Sequence, residues 1–237
     1  MPVYRDEGVV LRTFKLGEAD RIVELLTRGH GKVRAVVRGV RRTKSRFGAR
    51  LEPFMRDDLL IVTGRSLDVV SQAETIGAYA EPICADYDAY GAGNVILETV
   101  DRLVTVEGEP AREQYRLLIA ALGSLARGEH ASEAIALSYV LRAMALAGWR
   151  PRLDACVGCG RHDGLGWLSF SAGGASCASH RSADAQAMGE DSRQALQALL
   201  VGDWARLDGR DLPSDVHGLV RAWAEYYLER PIRSLRL

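Results

Sequence analysis

Four side chains in the second half of the chain have the types and the spacing of a zinc site. Two residues separate Cys156 from Cys159 and two separate Cys177 from His180, with 17 residues between the two pairs. Two such pairs, each on its own turn of the backbone, can direct four ligands at one tetrahedral ion. The pattern therefore predicts one zinc ion held by Cys156, Cys159, Cys177 and His180.

Four protein ligands leave no open position for water, so we expect this zinc to be structural rather than catalytic. His162 is an alternative fourth ligand because it lies close to the first pair. The competing interpretation is three unrelated thiols that bind no metal.

A second feature with chemical meaning is a basic stretch over residues 28–50, which holds nine Lys or Arg and no Asp or Glu, although the net charge of the chain is zero. Residues 32–38 nearly alternate between apolar and charged types, as a strand with one buried face does. Residues 41–48 show no period and predict an exposed basic loop.

Such a strand and loop suit a polyanion, because Lys and Arg neutralise phosphates and an aromatic ring can stack on a base. The alternative is a solvated charged face that binds nothing. The missing acidic residues favour nucleic acid. The predicted DNA contacts are Lys32, Arg34, Arg38, Arg41, Arg42, Lys44, Arg46 and Phe47.

The predicted metal ligands and DNA contacts must be positioned by strands and helices, which the sequence also indicates. Residues 1–78 contain five short strand patterns, which favour a small closed barrel of the oligonucleotide-binding (OB) type, with an SH3-like barrel as the alternative. From about residue 81 the apolar residues recur at helical spacing. We predict an α+β multidomain protein with an OB-fold DNA-binding barrel at 1–78, a helical domain at 79–150 and 184–237, and a small zinc-binding module inserted at 151–183.

Composition and missing motifs exclude several classes of protein. No apolar run reaches the ~18 residues of a membrane helix and the N-terminus lacks a signal-peptide core, so we expect a cytoplasmic protein. The glycine pattern of a phosphate-binding loop is absent, as are the common hydrolase motifs. We therefore expect no enzyme activity and name no catalytic residues.

Several segments of the chain together match a known pattern: residues 7–13, 17–23, 31–42, 45–48 and 51–54, and Leu146-Ala147-Gly148-Trp149-Arg150-Pro151 leading into Cys156. In these segments the chain resembles the RecO family of bacterial recombinational repair proteins. The resemblance extends over essentially the whole length and is densest in the first 55 residues. In that family the zinc pattern usually ends in cysteine, whereas His180 takes that place here.

The resemblance implies the three-part architecture given above and a recombination mediator. Such a protein binds single- and double-stranded DNA, anneals complementary strands, works with RecR, and helps to load RecA onto DNA coated by single-strand-binding protein; it would be associated with the nucleoid. The family's basic DNA-binding surface would correspond to Arg34, Arg38, Arg41, Arg42, Lys44 and Arg46. Two other functions stay open: a zinc-ribbon RNA-binding or transcription-associated module, and a zinc enzyme with an open metal site.

Overall fold

The computed structural model describes residues 2–236. The chain divides into two compact units, with the boundary between Glu129 and His130. The domain ranges predicted from the sequence stay a prediction, since compactness groups the first three helices with the barrel.

Five strands in the first unit form a closed barrel in the order β1-β2-β3-β5-β4, and β1 closes the barrel by pairing with β4. All neighbouring strands are antiparallel except β3 and β5, which are parallel. The strands are β1 (Val3–Leu16), β2 (Asp20–Thr27), β3 (Gly31–Val37), β4 (Met55–Val62) and β5 (Asp68–Ala78). The predicted five-stranded barrel is thus confirmed.

The barrel interior follows from the alternation in the sequence. Along β3, Val33, Ala35 and Val37 are buried, while Lys32 and Arg34 are half-buried on the other face. Strand β4 alternates in the same way. The segment between β3 and β4 also contributes to the core, because Phe47 and Leu51 are buried with these strands.

Three helices complete the first unit: α1 (Ala80–Ala85), α2 (Tyr87–Leu103) and α3 (Arg112–Arg127). The carboxylate of Asp86 caps α2 by accepting a hydrogen bond of 2.7 Å from the amide of Ala89. The helical spacing of the apolar residues over 88–104 predicts that Tyr90 is on the buried face of α2, and this is wrong. Its side chain is 48% exposed and meets Phe54 edge-on, with ring centroids 6.1 Å apart.

The sequence predicts that Pro110 lies in the first turn of α3 and that Gly128 lies just beyond its end. The helix ends as predicted but begins later. Gly128 adopts a left-handed conformation with φ 60°, and its amide closes the last turn onto Leu125. The first helical residue is Arg112 and the N-cap is Ala111. Pro110 therefore precedes the helix instead of occupying its first turn.

The second unit combines four helices with a small antiparallel sheet in the order β7-β6-β8. Its buried Trp223 donates a hydrogen bond of 3.1 Å to the carbonyl of Trp149. The elements are α4 (Ser132–Leu146), β6 (Trp167–Ser169), β7 (Gly174–Ser176), β8 (Gln186–Ala187), α5 (Glu190–Val201), α6 (Trp204–Leu207) and α7 (Val216–Leu228). The α+β class with an N-terminal sheet unit and a helical C-terminal region is confirmed.

Within residues 2–236, no helix combines the length and the apolar character needed to cross a membrane.

Candidate metal centre and nucleic-acid interface

The four predicted metal ligands lie together in the second unit. One ligand atom from each of Cys156, Cys159, Cys177 and His180 can be chosen so that all four lie within 4.8 Å of one another. The Sγ of Cys177 is 3.8 Å from that of Cys156, 4.0 Å from that of Cys159 and 3.3 Å from the Nδ1 of His180.

These separations fit a tetrahedral ion. Zinc–sulfur bonds of about 2.3 Å place two ligands of a tetrahedron about 3.8 Å apart. The observed sulfur–sulfur distances of 3.8 and 4.0 Å match that edge. His162 is not part of this group of converging ligand atoms, and its Nδ1 lies 2.9 Å from the carbonyl oxygen of Asp154. The cluster can therefore bind a metal ion, with His180 as the fourth ligand.

Local backbone geometry brings the two ligand pairs together. A Cβ on Gly158 would lie 2.7 Å from the ring of His180, so only glycine allows the turn at 156–159 to approach the turn at 177–180. Gly160 has φ 76°, a conformation that glycine adopts without strain, and its amide donates to the carbonyl of Cys156.

The electrostatics of the cluster also favour a cation. Burial opposes ionisation of Cys156, but the amides of Cys177, Cys159 and Gly158 donate to its sulfur and bring its pKa down to about 6. Burial and the neighbouring sulfurs raise the pKa of Cys177. Adjacent thiolates repel each other, and a divalent ion removes that repulsion, so metal binding would allow all three thiols to ionise together.

The predicted DNA-contacting residues do not share one environment. In β3, Lys32 pairs with the largely buried Asp101 of α2, and Arg34 Nε lies 3.1 Å from Glu24 Oε1. Arg41 donates to the carbonyl oxygens of Gly17 and Glu18 at 3.3 and 3.1 Å. These three side chains are thus held by groups of the protein itself.

Other basic residues are exposed and unpaired. Arg38, Arg42, Lys44 and Arg46 are exposed, and no carboxylate lies within 4.0 Å of their charged atoms among residues 2–236. We refer to these four residues as the free basic cluster. Arg46 rests its guanidinium 4.9 Å from the ring centroid of Phe47.

Phe47 requires a correction to the sequence interpretation. Its side chain is 2% exposed and packs in the barrel core, so its ring offers no free face to a base in this structure. The aromatic residue of the loop is its anchor: a buried ring fixes the segment against the barrel while the neighbouring cations point outward. No pattern in the sequence indicates this, because an isolated Phe among charged residues fits either role.

Sequence reasoning also missed Asp101 as the partner of Lys32. Asp101 receives a second cation, since its Oδ2 lies 3.2 Å from Arg12 of β1. The acidic character of residues 81–109 was evident in the sequence, but the pairing depends on how α2 packs against the barrel.

Comparison with known proteins matches both parts of the chain. Residues 1–79 match the family model "Recombination protein O N terminal", and residues 84–236 match "Recombination protein O C terminal". A "DNA repair protein RecO" from Bifidobacterium adolescentis is 60% identical over 244 aligned residues, covering 100% of this chain and 99% of that protein. Proteins of the same name from Streptomyces griseus and a Nocardioides species are 47% and 46% identical, covering 100% and 98% of this chain and 98% of each relative.

Proposed function

This chain belongs to the RecO family of DNA repair and recombination proteins, and from that premise we propose that it is a recombination mediator without enzymatic activity of its own. It binds single- and double-stranded DNA and anneals complementary strands. With RecR, it helps to load RecA onto DNA that is coated by single-strand-binding protein. It works in the cytoplasm, in association with the nucleoid.

The observation that carries this proposal is the free basic cluster. Cations that already pair with carboxylates gain little from a phosphate, because the existing pair must be broken first. Arg38, Arg42, Lys44 and Arg46 have no such partner to lose among the described residues, and all four lie in the segment that follows β3. Phosphate binding by these residues releases counterions and does not depend on the base sequence. Annealing requires such sequence-independent binding, because any two complementary strands must be accepted.

Annealing by such a surface needs no nucleotide hydrolysis. Two strands must approach while their charges are screened and their bases stay free to pair. A basic surface supplies the screening, so the missing phosphate-binding loop is consistent with the proposed role.

We further propose that the ion at Cys156, Cys159, Cys177 and His180 is one structural zinc. Three thiolates and an imidazole form a donor set that suits zinc, and four protein ligands complete its coordination. When bound, the ion would cross-link the two turns that carry the ligands and stabilise the small sheet beside them.

The test compares free with paired cations. Single-stranded oligonucleotide binding is measured by fluorescence anisotropy across a salt series for wild type and for Arg38→Ala, Arg42→Ala and Lys44→Ala combined. If each residue contacts one phosphate, the slope of log affinity against log salt becomes shallower by roughly 2, at about 0.7 per contact.

The matched control combines Arg5→Ala, Arg28→Ala and Arg116→Ala. These arginines lie in the same unit and are 63–65% exposed, but each pairs with a carboxylate, of Asp58, Glu7 and Glu113 respectively. We expect their slope to change by less than half as much. Equal slopes for both triple variants would show that only net charge matters, and wild type that binds no DNA would refute the proposed function.

The observations that favour DNA repair over an RNA-binding or transcription module are the family matches over both parts of the chain. A competition between DNA and RNA oligonucleotides of one sequence distinguishes them. We expect the RNA strand to compete no better than the DNA strand.

A further inference from the structure

The exposed side of the metal cluster carries two arginines next to its ligands. Cys156 and Cys177 are buried, whereas Cys159 and His180 are exposed. Arg161 lies two residues after Cys159, and Arg181 directly follows His180. Because the ligand atoms converge and Gly158 lies against the ring of His180, the turns that carry Arg161 and Arg181 are neighbours.

The two guanidinium groups have different neighbours. Arg161 is exposed, and its negatively charged neighbours are the sulfurs of Cys159 and Cys177 and the carboxylate of Asp163. Arg181 lies over the indole ring of Trp167, with its Cζ 4.4 Å from the ring centroid. Neither forms an ion pair with a carboxylate within 4.0 Å in the described part of the chain.

The charge of the surrounding segment is positive. Residues 150–183 contain four arginines and two aspartates, and one of those aspartates, Asp154, already pairs with Arg152 at 3.5 Å. With zinc bound, the ion and three thiolates would carry one net negative charge, close to Arg161. Arg181 is exposed, has no carboxylate within 4.0 Å of its charged atoms among residues 2–236, and lies over an aromatic ring.

We propose that Arg161, Arg181 and Trp167 form a second contact for single-stranded nucleic acid, separate from the free basic cluster of the barrel. Phosphate oxygens accept hydrogen bonds from the two guanidinium groups. A base stacks on the outer face of Arg181 and extends the Trp167–Arg181 stack, because guanidinium planes and aromatic rings both accept bases. This inference rests on the proposed function: two contacts on two units would let one chain hold two strands or two stretches of one strand.

The alternative to a nucleic-acid contact is a purely structural role for both arginines. In that case Arg161 compensates the charge of the thiolates and Arg181 covers the ring of Trp167. This alternative predicts no change in DNA binding when the charges are removed and zinc is retained. The experiment must therefore separate loss of DNA contact from loss of the metal.

The variant is Arg161→Gln with Arg181→Gln in the full chain, and the matched control is Arg210→Gln with Arg230→Gln. Both control residues are exposed arginines of the same unit with no ion pair among residues 2–236. Zinc content is measured for each preparation, and binding of an oligothymidine is followed across a salt series. The proposal predicts a slope shallower by roughly 1.4 for the variant, at about 0.7 per phosphate, and little change for the control.

A second readout does not depend on removing charge. All four tryptophans, Trp149, Trp167, Trp204 and Trp223, lie in the second unit, so intrinsic tryptophan fluorescence reports on that unit alone. We expect oligothymidine to quench this fluorescence in wild type and not in Trp167→Phe. The phenylalanine keeps an aromatic ring under Arg181, so the fold and the metal site stay intact.

The outcomes distinguish this inference from the proposed function. If the variant of the free basic cluster weakens binding while the double glutamine variant behaves like its control and no quenching occurs, the second contact does not exist and the proposed function stands. If wild type binds no DNA, both fail. A shallower salt slope together with Trp167-dependent quenching in zinc-loaded protein supports the second contact.

Discussion

The metal cluster and the basic segment were both prominent in the sequence, yet the structure treats them differently. All four predicted metal ligands meet at one point in the second unit. The eight predicted DNA contacts separate into three held by protein groups, one buried in the core and four exposed without ion pairs. The metal ligands converge because each pair is closely spaced in the sequence. Whether a basic side chain is paired or free depends instead on carboxylates that lie elsewhere in the chain.

The two regions also differ in how they are stabilised. The metal cluster lies in a small segment with short strands, since β6, β7 and β8 have only three, three and two residues. Such a segment buries little apolar surface and benefits from a cross-link. The basic segment is attached to a closed barrel that already has a core, so its cations can remain in solvent.

The largest effect is expected from removing ligands. Cys156→Ser with Cys159→Ser leaves two ligands, so we expect the metal content to fall close to zero and the second unit to lose at least ~5 kcal/mol of stability, with lower solubility. Metal analysis and thermal unfolding by circular dichroism measure both. Unchanged zinc would contradict the assignment of the site. The control Cys84→Ser removes an exposed thiol outside the cluster and should change neither quantity.

A smaller change in stability is expected from substitutions of Phe47. They test whether this residue belongs to the core or to the DNA-binding surface. Phe47→Ala should lower the free energy of unfolding by about 3–5 kcal/mol, because it removes a fully buried ring. Chemical denaturation gives the stability, and the salt series gives the DNA contact. In folded Phe47→Leu, which keeps most of the buried volume, we expect the DNA affinity of wild type. A large loss of affinity in that variant would restore the stacking role.

A third prediction concerns a charge that the barrel leaves unpaired inside. Asp57 in β4 is fully buried, and its carboxylate forms no ion pair within 4.0 Å with a Lys, Arg or His among residues 2–236. Burial raises its pKa from 3.8 to about 6, and the nearby Thr75 and Arg50 offset this only in part. The folded protein therefore keeps this proton at pH values where the unfolded chain loses it.

This difference in pKa between the folded and the unfolded chain makes the stability of the protein depend on pH. Below pH 4 the carboxyl is protonated in both states and costs nothing. Stability falls as the pH rises from about 4 to 6 and stays reduced above 6, by about 3 kcal/mol for a shift of this size. Asp57→Asn should remove this loss and raise the free energy of unfolding at pH 7. Asp58→Asn changes the half-buried neighbour that pairs with Arg5 and should not stabilise the protein.

The sequence by itself determined the local parts of this protein. Alternation in residues 31–37 fixed which face of β3 is buried, since side chains of a strand point to opposite faces in turn. Paired spacing fixed the metal ligands, because two intervening residues span one turn of backbone. Family-specific segments identified the function class.

Tertiary structure alone decided what depends on distant partners. Asp101 reaches Lys32 only because α2 packs on the barrel, and Phe47 is buried only because the β3–β4 segment folds over the core. Tyr90 lies at the edge of its helix face, where the contact with Phe54 leaves half of it in solvent. Spacing along the chain carries no information on such contacts, since they join residues whose separation is set by the whole fold.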